Sequence, residues 1–385
     1  MRDLVLLTIG LVQLSLAKAS FFICSLFFKK TKRRGWVVVG VETALMLKNI
    51  SSALPYSISV NFESNKFYNR SYTFQLYSKS IIQKAIVTFY SPMLLGYLMT
   101  RHDRFLYLGA AGFIKQRSDG RRKEFKFLKT RNKKLVCYFL GSEIRSFTLL
   151  NDYAKVHQID VVTTYQGISH AGINSTQREL NRKTLGEVAD EYADKIFNPS
   201  TDQMSYIKQE TFPCMYFLES SLFECIKNKF ESVEEIVVLH GPSSPIIKGT
   251  PIVRAAIKKL KEEGYQFKYI ELIDVPHDLM LQALSSAHIV LNEFYAFVPG
   301  VFGVEALAHS CALLTSADSN IEPTLSEGAN NAWKVTPYWS VYDNLKVFLD
   351  NPHMIEQQAK AGYEWALKNC TYEASVAELN RIVND

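Results

Sequence analysis

Short apolar runs, each closed by a glycine or a polar turn and followed by a helical pattern, recur from the first quarter of this chain to its end. Trp36 to Val39 is followed by Gly40 and a helical stretch from Glu42, and "KKLVCYFLGSEIRSF" repeats the order with Gly141 at the turn. "YSISVNF", "FLYLGAAGF", "IDVVTTYQGISHAG" and the middle of "ADKIFNPSTDQMSYI" add further strands, the last followed by a helix start, and Ser80 to Thr100 adds a long helix. In the second half "EEIVVLH", "FKYIELI", "HIVLNEF" and "CALLTS" read as strands, with "PIVRAAIKKLKEEG", "HDLMLQALSSA" and "GVFGVEALAHS" as helices between them. Strands that alternate with helices imply right-handed crossovers and a mostly parallel sheet. The fold class expected is α/β, with two doubly wound Rossmann-like domains facing a cleft.

A length of 385 residues allows two separate cores. The boundary is expected between Gln209 and Glu235, around "FPCMYFLESSLFEC". This gives a first domain over 35–215, a second over 216–365, and a C-terminal helix over 366–385 with the option of crossing back to the first domain. The six cysteines are scattered without a C-x-x-C or a Cys/His pairing, which argues against a zinc site and against a disulfide framework.

Net charge is +6, but the distribution is lopsided: residues 1–150 carry 25 Lys and Arg against 7 Asp and Glu, so +18, which leaves −12 for residues 151–385. Anionic lipid and nucleic acid would each suit the basic half. No nucleic-acid motif accompanies the charge, and the chain's start points to a membrane. "LVLLTIGLVQLSLAKASFFICSLFF", Leu4 to Phe28, is interrupted by one charge, Lys18, and "KKTKRR" follows at once. The run is long enough to span a bilayer, and the basic flank would keep the rest of the chain cytoplasmic. A helix lying in the interface is the rival, since Lys18, Gln13 and the serines are costly at mid-bilayer. A buried first helix is the third reading. Residues 1–34 are accordingly expected to be a membrane-associating helix with its basic flank, placed on an anionic membrane surface.

The chemistry-bearing residues lie in two stretches of the second half. In "HGPSSPIIKGTPIVRAAIKKL" a strand ends at His240, and Ser243, Lys248 and Gly249 occupy the turn before a helix. A lysine beside the free N–H groups of a helix start attracts phosphate, although any α/β domain contains such turns. In "HIVLNEFYAFVPGVFGVEALAHSCALLTS" a strand ends at Asn292-Glu293, Gly300 and Gly303 lie in the loop, and Glu305 falls in the first turns of a helix. Glycines admit a ligand close to the backbone, and a carboxylate there can accept hydrogen bonds from vicinal ribose hydroxyls or simply favour the helix dipole.

Together these stretches resemble the donor domain of nucleotide-sugar glycosyltransferases, closest to the family 4-like, retaining enzymes of the GT-B fold. "LGSEIRS" and "ADKIFNPSTDQMSYI" resemble segments of their acceptor domains, so the likeness covers most of the chain from residue 35 onward. The resemblance implies that Lys248 neutralises a diphosphate, that Glu305 grips the ribose, and that the Gly300–Gly303 backbone completes a pyrophosphate cradle. It gives Glu293 a place on the sugar hydroxyls and His170, in "GISHAG", a place near donor or acceptor. Gly40, Glu42, Gly141 and Arg145 fall on the acceptor side. No metal and no cofactor are expected, the nucleotide-sugar being the substrate and a glycan or lipid-linked molecule the acceptor. Two positions depart from the pattern. Ser243 stands where many relatives have arginine, and Phe297 stands where they have a first glutamate. The expected function is sugar transfer in surface polysaccharide biosynthesis, with retention, at the cytoplasmic face of a bacterial inner membrane. A degenerate sugar-nucleotide binder and a nucleotide-sugar epimerase are the alternatives.

Overall fold

The computed structural model describes residues 2–27, 35–63, 70–77, 80–114, 119–164, 176–223, 229–231 and 233–385, with side chains described from residue 8 onward. Among these residues the first sheet has strands β1 (Trp36–Gly40), β2 (Ile58–Asn61), β3 (Phe74–Gln75), β4 (Arg104–Leu108), β5 (Lys134–Tyr138) and β6 (Lys195–Phe197), in the order β3-β2-β1-β4-β5-β6. The second has β7 (Val237–His240), β8 (Lys268–Glu271), β9 (Ile289–Leu291), β10 (Ala312–Thr315) and β11 (Lys334–Val335), in the order β11-β10-β9-β7-β8. Every strand pairing is parallel; Val38 faces Ser59 and Leu106, and Leu239 faces Ile270 and Val290.

Both faces of each sheet are covered, which is why the strands read as unbroken apolar runs rather than alternating ones. In β1, Val37 and Val39 face an apolar cluster with Leu94, Leu95 and Leu98 of the helix Ile81–Arg101. Trp36 and Val38 face the other side, with Leu47 and Ile50 of the helix Met46–Ala53. The C-terminal helix Tyr372–Asn384 belongs to that second layer: Leu379, Ile382 and Val383 join the Trp36 cluster, and Asn380 donates to the Ala53 carbonyl.

Several local expectations are corrected. The helix after β1 begins at Met46 rather than Glu42, and Glu42 instead accepts from the Leu47 and Lys48 N–H groups. Residues 159–164 form a turn with buried Val161 and Val162, not a strand. After β6 the chain makes a turn at 199–203 that does not continue as a helix, and its N–H groups are bonded to a carboxylate from the other domain. The helix Pro352–Asn369 runs through the expected boundary at 366. The break falls at Cys370-Thr371, where the Thr371 hydroxyl accepts from the Ala374 N–H and starts the last helix.

Buried carboxylates tie the two domains. Glu322, fully buried, accepts from the backbone N–H of Ser200 (3.0 Å), Thr201 (2.8 Å) and Asp202 (2.8 Å), and from the Ser200 hydroxyl. Asp202 in turn receives Arg145 at 2.6 Å and the Phe297 N–H at 2.8 Å. Removing the carboxylate leaves buried donors without partners, each costing about 1–3 kcal/mol less whatever water recovers. Glu322→Ala should therefore lower the unfolding free energy by about 3 kcal/mol in urea titration; an unchanged midpoint and slope would mean that the domains do not depend on this contact.

Candidate functional site

In an open α/β sheet a crevice forms where successive connections leave to opposite sides. In the second sheet that point lies between β7 and β9, so the ends of those strands at His240 and at Asn292-Glu293 flank it. The turn that leaves β7 is pinned from below. His240, fully buried, pairs through Nδ1 with the Leu291 carbonyl at 2.7 Å and through Nε2 with the Thr250 hydroxyl at 2.8 Å. Burial pushes its pKa down, so the ring is neutral and its two nitrogens serve as one donor and one acceptor. Gly249 closes the turn at φ +79°, a conformation that favours glycine, and the helix Thr250–Glu262 starts there. Lys248 is thereby held over the crevice, with its Nζ 2.5 Å from the Glu293 carboxylate.

The opposite wall is the helix Gly300–Ala308. Gly300 has φ +63°, and a Cβ there would stand 3.2 Å from Glu293 Oε1. A Cβ on Gly303 would fall 2.7 Å from the Asn292 amide nitrogen, which donates to the Pro299 carbonyl. The two glycines therefore let this helix start close against the β9 end. Lys248, Glu293 and Gly300 are brought together; the side chains of Met280 and Phe302 lie over Gly241 beside them. Burial pushes the Glu293 carboxyl up, while the Lys248 ammonium pulls it back toward the ionised form.

Glu305 is buried and accepts from His277 Nε2 at 2.8 Å, and its own carbonyl takes His309. His277 begins the helix His277–Ser286. Its pKa is raised from the ordinary 6.5, first by the hydrogen bond to Glu305, with burial opposing. Protonation thus favours the folded state: the contribution is whole below the ordinary value and is lost as pH rises through the raised folded value. The melting temperature of His277→Ala should fall furthest behind the wild type below pH of about 6, and the gap should narrow as pH is raised toward about 9.

The other expected positions fall in three groups. Ser243 is exposed on the turn, and Phe297 is buried edge-on against Tyr153, so neither replaces the missing charge of the family pattern. On the first domain Gly40 packs directly under Leu108, and Glu42 caps a helix and receives the Tyr72 hydroxyl at 2.6 Å, which makes both of them structural elements of the β1 end. Gly141 has φ +148° with open space where a side chain would go, and Arg145 is committed to Asp202. His170 lies outside the described residues. Sequence reasoning passed over His240, Thr250, His277 and Asp202. A histidine at a strand end was visible, but its partners lie far along the chain and only the fold brings them near. Among the described residues no group of three or more His, Cys, Asp or Glu is placed to hold a metal ion.

No protein-family model matches the sequence, and no curated protein matches it. Solved structures do match in shape. Sucrose-phosphate synthase from Thermosynechococcus elongatus superposes with a TM-score of 0.59 at 12% identity, covering 91% of this chain and 98% of that one. WaaG, a glycosyltransferase involved in lipopolysaccharide biosynthesis, gives 0.54 at 11% identity over 91% and 99%. A protein from Listeria monocytogenes assigned as a UDP-N-acetylglucosamine 2-epimerase gives 0.50 at 13% identity over 90% and 95%. The chain has the GT-B fold, two parallel-sheet domains across a cleft, which transferases and an epimerase share.

Proposed function

We propose that this protein is a glycosyltransferase that moves a sugar from a nucleotide-sugar to a glycan or lipid-linked acceptor, in surface polysaccharide assembly at the cytoplasmic face of a bacterial inner membrane. The observation that carries the reading is the meeting of Lys248, Glu293 and the glycine-started helix Gly300–Ala308 at the point of the second sheet where connections diverge. A cation and a helix start on opposite walls suit a diphosphate, and Glu305 deeper on that helix suits the ribose. The neighbours of like fold that are glycosyltransferases support the reaction class, and WaaG, involved in lipopolysaccharide biosynthesis, supports a role in surface glycan assembly.

In the transfer, the bond between the sugar C1 and the phosphate oxygen breaks and its electron pair leaves with the nucleoside diphosphate. The acceptor hydroxyl oxygen bonds to C1, and its proton passes to the departing phosphate on the same face, which gives retention. Lys248 and the Gly300 helix start stabilise the negative charge that grows on the diphosphate, and this stabilisation is larger in the transition state than in the bound donor.

Lys248→Ala should weaken nucleoside-diphosphate binding about tenfold to a hundredfold in calorimetric titration, and should lower the melting temperature of the still folded chain because buried Glu293 loses its counter-ion. Glu305→Gln should erase the preference for a nucleoside diphosphate over its 2′-deoxy analogue, since an amide offers one acceptor and one donor group where the carboxylate offers two acceptors. A panel of nucleotide-sugars incubated with purified protein tests the reaction itself. Slow release of free sugar and nucleoside diphosphate supports a transferase; C2-inverted nucleotide-sugar indicates an epimerase; binding without turnover indicates a degenerate member.

A further inference from the structure

Two helices of the first domain carry apolar residues on their outer faces, and both are long and apolar enough to cross a bilayer by length and composition. The first is Arg2–Phe27 and the second Ile81–Arg101. They run side by side in the same direction: Gln13 donates to the Thr88 carbonyl and Ser20 to the Met93 carbonyl, each at 2.7 Å. Gly96 lets the backbones touch, since a Cβ there would fall 2.3 Å from the Ala17 carbonyl oxygen. The second helix is buried only along its later part, through Leu94, Leu95, Leu98 and Met99, while no residue from Ile81 to Tyr90 is buried. Its 21 residues extend about 31 Å, against about 17 Å for the five-residue strand β4 that follows it. A helix that returns a parallel crossover starts at the carboxyl edge of the sheet, so its surplus length projects there, on the side where the cleft opens. The first helix runs alongside, with only Gly10, Gln13 and Ala17 buried among its described side chains.

We infer that these two helices form a single apolar prong that enters one leaflet of an anionic membrane without crossing it. The inference rests on the membrane half of the function proposed above, and not on its sugar chemistry. Three observations select lipid as the occupant. The outer face is exposed, among the described residues, at Phe22 (64%), Leu26 (67%), Ile82 (69%) and Phe89 (53%). Three hydroxyls on the prong are bonded to backbone carbonyls of their own helix, Ser15 to Leu11, Ser25 to Phe22 and Thr88 to Lys84, as suits groups in hydrocarbon. Charge is complementary to an anionic surface: residues 4–41 contain six Lys and Arg, residues 64–102 contain five, and neither stretch has an Asp or Glu.

Chain connectivity excludes the crossing. From Gln75 at the end of β3 to Ile81 at the start of the second helix the chain makes six steps and reaches at most about 22 Å, short of the roughly 30 Å hydrocarbon core. Both ends of that helix are therefore tied to the same sheet. The first helix, bonded along it, shares its depth. Lys18 and Lys84 are exposed, and their long stems let each ammonium reach the headgroups from a shallow position.

The test uses the full-length chain in two assays. In sedimentation with phosphatidylcholine/phosphatidylglycerol vesicles, Ile82→Asp with Phe89→Asp should weaken binding at least about tenfold, with melting temperature and nucleoside-diphosphate affinity unchanged; Ile82→Leu with Phe89→Leu should bind as the wild type does. In sealed inverted membrane vesicles from expressing cells, epitope tags before Met1 and after Asp385 should both be open to added protease. A protected N-terminal tag with a digested C-terminal one would show a spanning first helix and overturn the inference. Undiminished binding by the aspartate variant would take the second helix out of the lipid and overturn it while leaving membrane attachment intact. A wild-type chain that ignores vesicles, or that purifies without detergent as a dimer closed over this face, would remove the membrane half of the function as well.

Discussion

The Glu322 carboxylate is the contact on which the arrangement of the molecule turns. It comes from a loop of the second domain and occupies the concavity made by three successive N–H groups of the first. Those groups are thus satisfied from outside the first domain. That leaves Asp202 free to hold Arg145 on one side and the Phe297 backbone on the other. An apolar cluster follows the same seam, with Phe147, Leu150, Val161 and Val162 of the first domain in one group with Phe294, Tyr295 and Phe297 of the second. The polar contact sets the register of the domains, and the apolar one supplies area.

The site is a second case of a buried polar group fixing what lies above it. His240 has no route to solvent, yet through Leu291 and Thr250 it joins β9 to the start of a helix. The height of Lys248 over the crevice is set from beneath by this ring. Gly249, Gly300 and Gly303 then provide clearance, the first two through left-handed backbone and the third by making room for Asn292.

The sequence revealed the architecture because a doubly covered parallel sheet writes itself as apolar runs between helical patterns, and two of the five-residue strands of the first sheet, WVVVG and KLVCY, are of that kind. Lys248, Glu293, Gly300 and Glu305 were also legible, since each lies at a strand end or a helix start that local pattern locates. What failed was long-range. Nothing near Asp202 announces that Glu322 will take its N–H group. Nothing near Glu42 announces Tyr72, and the two-residue strands β3 and β11 are too short to carry a pattern. The second helix of the prong was visible as a helix, but its partner was seventy residues and more away.

The Lys248–Glu293 pair gives the crevice a distinct selectivity. An anion that settles on this lysine must first displace a buried carboxylate already bonded to it, so occupation is an exchange of one anion for another. A singly charged visitor gains little from such a trade, because it replaces one charge with its equal and leaves Glu293 buried without a counter-ion. A ligand bearing two phosphates, or one that also offers hydroxyl donors to the freed carboxylate, compensates for the displacement. The ion pair thus acts as a filter against small anions in the surroundings.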